Sequence, residues 1–267
     1  MDGIRINKYL SEHGICSRRE ADRLLAEGKI LVNGIPAAVG QRILPGDTVE
    51  ADGKEIREEE RDKAVILAFH KPRGVVCTSS DRDRAPNIID YIAYPARIYP
   101  VGRLDKDSTG LILLTNIGEI SDRISRARGH HEKEYIVRCR KRVTDVFLKR
   151  MAEGVRIEVP DAKSGSGEKN MRSVITRKCR VDRVNEDTFR IILTQGYNRQ
   201  IRRMCRALGN EVEDLKRIRI MNIELGTLPE GRYRLLTPEE TEKLVQLLKA
   251  AEGNERKKNE VNYPGEL

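Results

Sequence analysis

Short apolar stretches follow one another closely through the middle of this chain, and their spacing constrains the fold more than any other feature. They predict strands over residues 64–69, 97–101, 110–115, 133–139, 174–184 and 189–193. Parallel neighbours need a long crossover connection, which usually holds a helix, and these strands lie too close together for each to have one. The sequence therefore predicts an α+β protein whose sheet is mixed but largely antiparallel, with flanking helices.

Two of the flanking helices have recognisable ends. Thr144 is suited to cap a helix that Gly154 ends. Thr237 is a second capping residue, and Pro238 stands at the first helical position, where proline is favoured. Between these helices, residues 160–173 are rich in Gly, Ser, Lys and Asp and have almost nothing to bury, so we expect a mobile surface loop there.

The beginning of the chain has the pattern of a separate small module. Ser17 and Glu20 match the S-x-x-E form of a capping box, which places a helix start at Ser17, and Gly28 is suited to end that helix. Asn33 and Gly34 predict a hairpin turn after a short apolar strand, because both residues tolerate positive φ. We therefore expect two small helices followed by short strands.

Shifts in composition divide the chain into three parts. Residues 55–63 are dense in charge and poor in apolar side chains, so we expect a linker there. The sequence predicts a module with its linker over residues 1–62, a larger domain over residues 63–251 and a polar, disordered tail over residues 252–267.

The charge balance favours a polyanionic partner. The chain has 51 Lys and Arg against 42 Asp and Glu, a net charge of +9, and the basic residues cluster. Such clusters favour nucleic acid over a plain solvated surface. No apolar run approaches the roughly 20 residues of a membrane span, and no signal pattern opens the chain, so we expect a cytoplasmic protein. Its five cysteines form no CxxC pair, which favours reduced thiols over a disulfide framework or a zinc site.

One carboxylate in the chain lies between two cations on a glycine-bounded turn. Asp105 is flanked in this way within residues 102–110, and an apolar strand follows. Loops held by a rigid strand commonly display reactive groups. From the residues alone, Asp105 is a candidate nucleophile, metal ligand or turn residue.

A second informative segment is the basic helix predicted within residues 195–209. Its apolar side chains recur at helical spacing and form one narrow stripe. At about 100° per residue, Arg199, Arg203 and Arg206 point away from this stripe, while Arg202 lies at its flank. Arg202 is thus able to reach a buried carboxylate while its neighbours face a phosphate backbone. The alternative is an ordinary amphipathic helix with four solvated arginines.

These two segments, together with two others, resemble motifs of the RsuA family of pseudouridine synthases. The motif Gly-Arg-Leu-Asp, followed by Gly and an apolar strand ending in Thr-Asn, is matched at residues 102–105 and 110–116. Lys-Pro-x-Gly is matched at residues 71–74, Lys-x-Tyr at residues 133–135 and Asn-Arg-Gln-Ile-Arg-Arg at residues 198–203. All occur in the family's order.

Two finer resemblances add to this match. The initial module resembles the S4 RNA-binding domain, whose Ser-Arg-Arg signature matches Ser17, Arg18 and Arg19. Residues 106–108 and 217–222 look most like the RluF-type branch of the family, which acts on large-subunit ribosomal RNA. The fold that the resemblance implies is an S4-like domain followed by a pseudouridine synthase catalytic domain.

The function that the resemblance implies is isomerisation of a uridine in large-subunit (23S) ribosomal RNA to pseudouridine. The reaction has no redox change, so no cofactor is expected. A transfer RNA uridine is an alternative or second substrate. Two other hypotheses remain: a catalytically inactive assembly factor that binds ribosomal RNA, and a metal-dependent nuclease or phosphotransferase. We expect a monomer with no metal and no membrane partner.

The resemblance also implies roles for individual residues. Asp105 is the expected nucleophile, and Arg202 is its expected ion-pair partner, which offsets the cost of desolvating the carboxylate. Tyr135 is expected to stack on the flipped uracil. For Asp107, the rival acid, the neighbours Ser108 and Gly110 rather than the resemblance indicate that it only shapes the turn. Adjacent strand residues point to opposite faces, so His130 and His131 are not expected to share a metal.

Other residues are expected to bind RNA or to support the site. The expected RNA contacts are Arg5, Lys8, Arg18, Arg19, Arg23, Arg103, Lys106, Asn198, Arg199, Gln200, Arg203 and Arg206. The expected structural supports of the site are Lys71, Pro72, Gly74, Gly102, Leu104, Gly110 and Ile201. For the cations on the first helices, the alternative is a solvated face.

Overall fold

The computed structural model of the chain describes residues 3–57, 63–77, 85–125, 130–161 and 170–261. The chain divides into two compact units. The first contains Met1–Val65, Tyr94–Tyr99 and Thr115–Gly118, and the second contains Ile66–Ala93, Pro100–Leu114 and Glu119–Leu267. The two short segments that belong to the first unit lie far along the chain, and the sequence pattern does not reveal them.

The first unit is built from two helices and short strands around a small apolar core. Its elements are β1 (Ile4–Arg5), α1 (Ile6–Glu12), α2 (Arg18–Ala26), β2 (Ile30–Val32), β3 (Ile35–Pro36), β4 (Arg42–Ile43), β5 (Val49–Ala51) and β6 (Lys54–Glu55). The strands β3, β2, β5 and β6 form an antiparallel sheet in that order, and β1 pairs with β4. Side chains of both helices and of this sheet share the core, including Ile6, Leu10, Leu25 and Ile30.

Local signals in this unit behave as the sequence predicts. The Ser17 hydroxyl accepts a hydrogen bond from the Glu20 backbone N–H at 3.1 Å and caps α2. Asn33 and Gly34 have φ values of 52° and 75°, as the hairpin turn between β2 and β3 requires. The expected linker begins later than predicted, because Ile56 is buried in the core. Residues 58–62 lie outside the described part of the chain.

The remaining elements form the larger part of the chain. They are β7 (Ile66–Lys71), α3 (Ile88–Ile92), β8 (Tyr99–Pro100), β9 (Thr109–Thr115), α4 (Gly118–Ser125), β10 (Lys133–Cys139), α5 (Asp145–Glu153), β11 (Arg156–Pro160), β12 (Met171–Ile175), β13 (Arg180–Arg183), β14 (Thr188–Leu193), α6 (Gln200–Ala207), β15 (Val212–Ile220), β16 (Ile223–Glu224), β17 (Tyr233–Leu235) and α7 (Pro238–Val261). Within the described ranges, no helix combines the length and the apolar character that crossing a bilayer requires.

The large sheet is mixed and mainly antiparallel, which confirms the predicted class. Its strands run in the order β13-β14-β10-β15-β9-β7-β17, with β16 beside β15 and β8 beside β9. Strand β10 pairs antiparallel with β14 and β15, whereas β15 pairs parallel with β9. One core cluster joins this sheet to α5 and α6 and includes Val137, Met151, Phe189 and Met204. The sheet therefore holds the start of β9 beside β15.

Three expectations about the chain's course need correction. The predicted strand over residues 174–184 is two strands, β12 and β13. The predicted loop at residues 160–173 is partly a hairpin, because Pro160 pairs with Met171 and the buried side chains of Ile157 and Val159 anchor β11. Residues 162–169 lie outside the described ranges.

The third correction concerns the end of the chain. Helix α7 continues to Val261, beyond the point at which we expected disorder to begin. The added residues, 252–261, include three Glu, two Lys and one Arg, which are good helix formers, so local propensity favours the extension of the helix. The last residues, 262–267, lie outside the described part of the chain.

Gly110→Ala tests the close approach of β9 and β15. Gly110 has a φ of 110°, and a Cβ there would overlap the Arg217 carbonyl oxygen. We expect this substitution to lower the free energy of unfolding by about 2–4 kcal/mol, because it adds backbone strain to a clash with main-chain atoms. Urea unfolding measures the loss.

Gly209→Ala is the matched control for Gly110→Ala. Gly209 also has positive φ, 78°, but nothing lies within 4 Å of a Cβ built there. We expect a loss of about 1 kcal/mol from the backbone conformation alone. Equal losses for the two variants would show that the strand contact does not matter.

Candidate active site

A cavity of about 360 Å³ opens in the second unit beside the turn that precedes β9. Its size suits a small ligand, since such sites usually have volumes of about 300–1,000 Å³. Asp105, Tyr135 and Arg202 all line it, although they come from the turn, from β10 and from α6. The fold thus brings together the three residues that we predicted to be catalytic.

The turn that carries Asp105 is held by its own backbone and by a neighbouring loop. The Ser108 N–H donates to the Asp105 carbonyl oxygen at 3.1 Å. The Gly74 N–H donates to the Lys106 carbonyl oxygen at 2.8 Å. Gly102, at the start of the turn, has a φ of 73°, a conformation that few other residues adopt. Hydrogen bonds therefore fix the backbone on both sides of the Asp105 side chain.

Lys71 organises the neighbouring loop from inside the protein. Its side chain is fully buried, and its ammonium donates to the carbonyl oxygens of Pro72 at 2.7 Å and Val75 at 2.8 Å. Burial lowers the pKa of Lys71. These contacts stiffen the loop that contains Gly74, in keeping with the supporting role that we predict for Lys71, Pro72 and Gly74.

A set of four residues, which we call the clamp, joins the turn to α6. It consists of Asp107, Ser108, Arg199 and Arg202. Arg199 donates from Nη1 and Nη2 to the two Asp107 carboxylate oxygens, at 2.8 Å and 2.9 Å. Arg202 donates from Nη2 to the Asp107 carbonyl oxygen at 3.0 Å and to the Ser108 hydroxyl at 3.2 Å. Asp107 therefore links the turn to the start of α6, in addition to the turn-shaping role that we expected.

The structure does not contain the direct ion pair that we predict between Asp105 and Arg202, although the charge of Asp105 acts on Arg202. Among the described residues no ion pair joins them, and the two Nη groups of Arg202 donate instead to the clamp and to the Val212 carbonyl oxygen. Arg199 Nη1 instead lies 3.9 Å from Asp105 Oδ2. Helical periodicity places Arg202 correctly at the flank of the stripe, but it cannot reveal the backbone acceptors that the turn offers.

The electrostatic field around the two carboxylates is strongly positive. The hydrogen bond from Arg199 is the main cause that lowers the pKa of Asp107. The same contact raises the pKa of Arg199. Burial lowers the pKa of Arg202, and the charges of Asp107 and Asp105 oppose that shift. Both arginines thus favour the ionised carboxylate of Asp107.

Not all of the predicted RNA contacts on α6 are free to bind RNA. Gln200 is 4% exposed, and its amide oxygen accepts from the Tyr197 N–H at 3.0 Å, which argues against a contact with an RNA phosphate. Arg203 donates to the carbonyl oxygens of Asn198 at 3.0 Å and Glu158 at 2.7 Å. Arg206 is exposed.

The remaining predicted RNA contacts are mostly at the surface. Arg5, Arg18, Arg19, Arg23, Arg103, Lys106 and Asn198 are exposed, and Lys8 is half-buried. Arg23 forms ion pairs with Glu20 and Glu27 of its own segment, which reduces its availability to a phosphate. Of the predicted supports, Leu104, Gly110 and Ile201 are buried.

Two site residues were missed from the sequence: Lys133 and Arg217. Both line the cavity. Burial is the main cause that lowers the pKa of Lys133 to about 8, and the charge of Arg217 adds to it. Lys133 could have been found, since it stands two residues from Tyr135 and so shares its face of β10. Arg217 lies beyond reach of local patterns, because only the sheet brings β15 to the cavity.

The two adjacent histidines have separate surroundings. His130 is exposed, whereas the buried His131 has its Nε2 3.1 Å from the Arg123 carbonyl oxygen. In the part of the chain that the structure describes, no group of three or more His, Cys, Asp or Glu side chains is arranged to hold a metal ion.

Comparison with known proteins defines the class of this chain. Residues 65–207 match the RNA pseudouridylate synthase family, and residues 4–49 match the S4 domain. The chain therefore belongs to the RsuA-type pseudouridine synthases that carry an S4 domain, and it is an RNA-modifying isomerase.

Individual relatives cover nearly all of the chain. It is 46% identical over 250 residues to the dual-specificity RNA pseudouridine synthase RluF of Salmonella typhi, an alignment that spans 94% of this chain and 80% of the relative. It is 32% identical over 245 residues to the ribosomal large subunit pseudouridine synthase B of Bacillus subtilis, spanning 91% and 96%. A crystal structure of a pseudouridylate synthase superimposes with a TM-score of 0.62 at 29% identity, covering 90% of this chain and 99% of that one.

Asp107→Asn tests the clamp through its dependence on pH. The Arg199 bond depresses the folded-state pKa of Asp107 below the value of about 3.9 for a free aspartate. Its stabilisation is therefore present above about pH 4 and is lost as the pH falls through the folded-state pKa. We expect Asp107→Asn to lower the free energy of unfolding by about 1 kcal/mol at pH 7, a small value because both side chains are 42% exposed.

Urea unfolding between pH 7 and pH 3 measures this effect. The difference between wild type and Asp107→Asn should shrink at the acid end. Asp122→Asn is the control, because Asp122 is an exposed residue of α4. A difference that stays constant with pH would contradict an ionic clamp.

Proposed function

We propose that the cavity receives a uridine flipped out of RNA and that Asp105 is the nucleophile that starts its isomerisation. One observation carries this proposal: Asp105, Tyr135 and Arg202 line the same cavity in a chain of this family. In the reaction the bond from C1′ to N1 breaks, a bond from C1′ to C5 forms, and the C5 proton is lost while N1 gains one. Atoms and electrons balance without an external oxidant or reductant.

The clamp brings positive charge close to Asp105 but directs its hydrogen bonds to other groups. Asp107 accepts both hydrogen bonds from Arg199, whereas Asp105 is only within 3.9 Å of the same guanidinium. The Asp105 carboxylate is thus held in a positive field while its oxygens stay available for attack. A base that enters the cavity removes water, and the nearby arginines offset the resulting cost to the carboxylate.

Tyr135 provides an aromatic surface for the flipped base. It is half-buried on β10 and lines the cavity. Aromatic rings stack on extruded bases, which repays part of the energy lost on unstacking. We propose that the uracil lies against this ring while Asp105 reacts with its nucleotide.

The proposed substrate is large-subunit (23S) ribosomal RNA, with transfer RNA as a second substrate. The names of two relatives support this, one a ribosomal large subunit pseudouridine synthase and the other a dual-specificity enzyme. Exposed Arg18 and Arg19 at the start of α2 fit a phosphate backbone. We propose that the protein acts as a monomer in the cytoplasm, where these RNAs are available.

Asp105→Asn tests the nucleophile. Purified protein is incubated with unmodified 23S ribosomal RNA in EDTA, and pseudouridine is mapped on the RNA. We expect wild type and the control Asp122→Asn to form pseudouridine, and Asp105→Asn to lose about 10⁴-fold or more in rate, because removing a nucleophile costs this much in other enzymes.

Each contrary result removes a different part of the proposal. An inactive wild type that still binds the RNA favours an assembly factor. An active Asp105→Asn assigns the chemistry to another group. Loss of activity in EDTA favours a metal-dependent mechanism.

Substitution of Arg18 and Arg19 tests the RNA contacts of the first unit. We expect Arg18→Ala and Arg19→Ala, each made alone, to weaken RNA binding by about threefold and to reduce the salt dependence of binding by about one counterion. The single-turnover rate at saturating RNA should not change. Arg23→Ala is the matched comparison on the same helix, and its effect should be smaller because Glu20 and Glu27 already pair with Arg23.

A filter-binding titration at several salt concentrations measures these effects. Equal effects of the three arginines on binding would contradict the selectivity that their ion pairs imply.

A further inference from the structure

Lys133 and Arg217 line the cavity, and neither has a role in the reaction proposed above. Tyr135 on β10 is the cross-strand partner of Arg217 on β15, and Lys133 lies two residues before Tyr135. Side chains with this relation share one face of a sheet and lie within contact distance. Two cations and the proposed stacking ring thus form one patch of the cavity wall.

Arg217 has an unused donor in this patch. The residue is 2% exposed, and its Nε donates to the Leu111 carbonyl oxygen at 2.6 Å. Its Nη1 lies 3.5 Å from the Arg103 carbonyl oxygen. Its buried Nη2 has no hydrogen-bond partner among the described residues. A buried donor without an acceptor is costly, so this position suits an acceptor brought by a ligand.

The ammonium of Lys133 also lacks an anionic partner within the described ranges. Among the described residues no carboxylate accepts a bond from its ammonium, and the charge that acts on it most is the cation of Arg217. Two like charges held together in a partly dry cavity cost energy unless an anion joins them. This patch therefore has the properties of an anion site that is completed by substrate.

We propose that Lys133 and Arg217 donate to the carbonyl oxygens of the flipped uracil and stabilise the negative charge that its ring carries during the reaction. This inference rests on the proposed function. A nucleotide phosphate is the rival anion, but we predict that the exposed Arg103 and Lys106 bind a phosphate at the surface. The patch beside Tyr135 is where the base itself lies in the proposed complex.

The charge arises whichever carbon Asp105 attacks. If it attacks C1′, the electron pair of the C1′–N1 bond leaves with the base and is shared by N1, O2 and O4. If it adds to C6, the π electrons of the C5–C6 bond move to C5 and O4. In both cases the electron pair at C5 then forms the C5–C1′ bond, which displaces the Asp105 carboxylate from C1′ in the first route and N1 from C1′ in the second. Loss of the C5 proton restores the ring, and in the second route it also expels Asp105 from C6. N1 gains a proton in both routes. Preorganised donors at such oxygens lower the barrier.

Lys133→Met and Lys133→Arg test the inference under single-turnover conditions with saturating 23S ribosomal RNA. We expect Lys133→Met to slow pseudouridine formation by about 10²–10³-fold, the usual effect of losing one donor to a developing oxyanion. RNA affinity should stay within about threefold of wild type, because the contact strengthens only during the reaction. Lys133→Arg keeps the charge and should recover most of the rate.

A pH profile separates this role from a structural one. Other charged or titratable groups that line the cavity are Arg103, Asp105 and Lys106 in the turn, Tyr135 and Arg217 on the sheet, and Arg199 and Arg202 of the clamp. With a pKa of about 8, Lys133 is cationic below this pH and neutral above it. The wild-type kcat/KM should therefore fall above about pH 8, and Lys133→Arg should remove that fall.

Three outcomes would overturn the inference. Weaker RNA binding with an unchanged saturated rate would assign Lys133 to a phosphate. A lowered free energy of unfolding without rescue by Lys133→Arg would assign it a structural role. A fully active Lys133→Met would remove it from the reaction, whereas an inactive wild type would instead overturn the proposed function.

Discussion

The arginine clamp on Asp107 is the interaction on which the candidate active site depends. Arg199 immediately precedes α6 and Arg202 lies within it, and they hold a turn that lies more than ninety residues earlier in the chain. The opposite side of this turn is fixed where Gly110 lets the main chain of Arg217 approach β9. Because the turn is held from both sides, the direction of the Asp105 side chain is set before any RNA arrives.

The two carboxylates of the turn, Asp105 and Asp107, interact differently with the nearby arginines. Asp107 takes the bidentate bond from Arg199, so it anchors the helix to the turn. Asp105 receives the field of the same arginine at a longer distance and keeps its oxygens available. Lys133 and Arg217 place positive charge elsewhere on the cavity wall. In the proposed reaction, Arg199 stabilises the carboxylate of the nucleophile. Lys133 and Arg217 stabilise the negative charge on the uracil.

Much of this arrangement was predictable from local patterns, and the rest depends on contacts between distant segments. The helix caps at Ser17 and Thr144 and the mainly antiparallel sheet follow from turn and capping chemistry. The motifs also identify the three residues that line the cavity together. Periodicity could not show that Arg202 would bind backbone acceptors, or that Gln200 would turn inward. Arg217 reaches the cavity because the sheet places β15 between β10 and β9.

The central claim is that Asp105 acts chemically while Asp107 only positions it. The most direct test compares single-turnover pseudouridine formation by Asp105→Asn and Asp107→Asn on the same RNA, with both proteins shown to be folded. The account predicts no detectable product from Asp105→Asn, and a rate within about 10²-fold of wild type from Asp107→Asn, since a positioning residue costs less than a nucleophile. An active Asp105→Asn beside an inactive Asp107→Asn would contradict it.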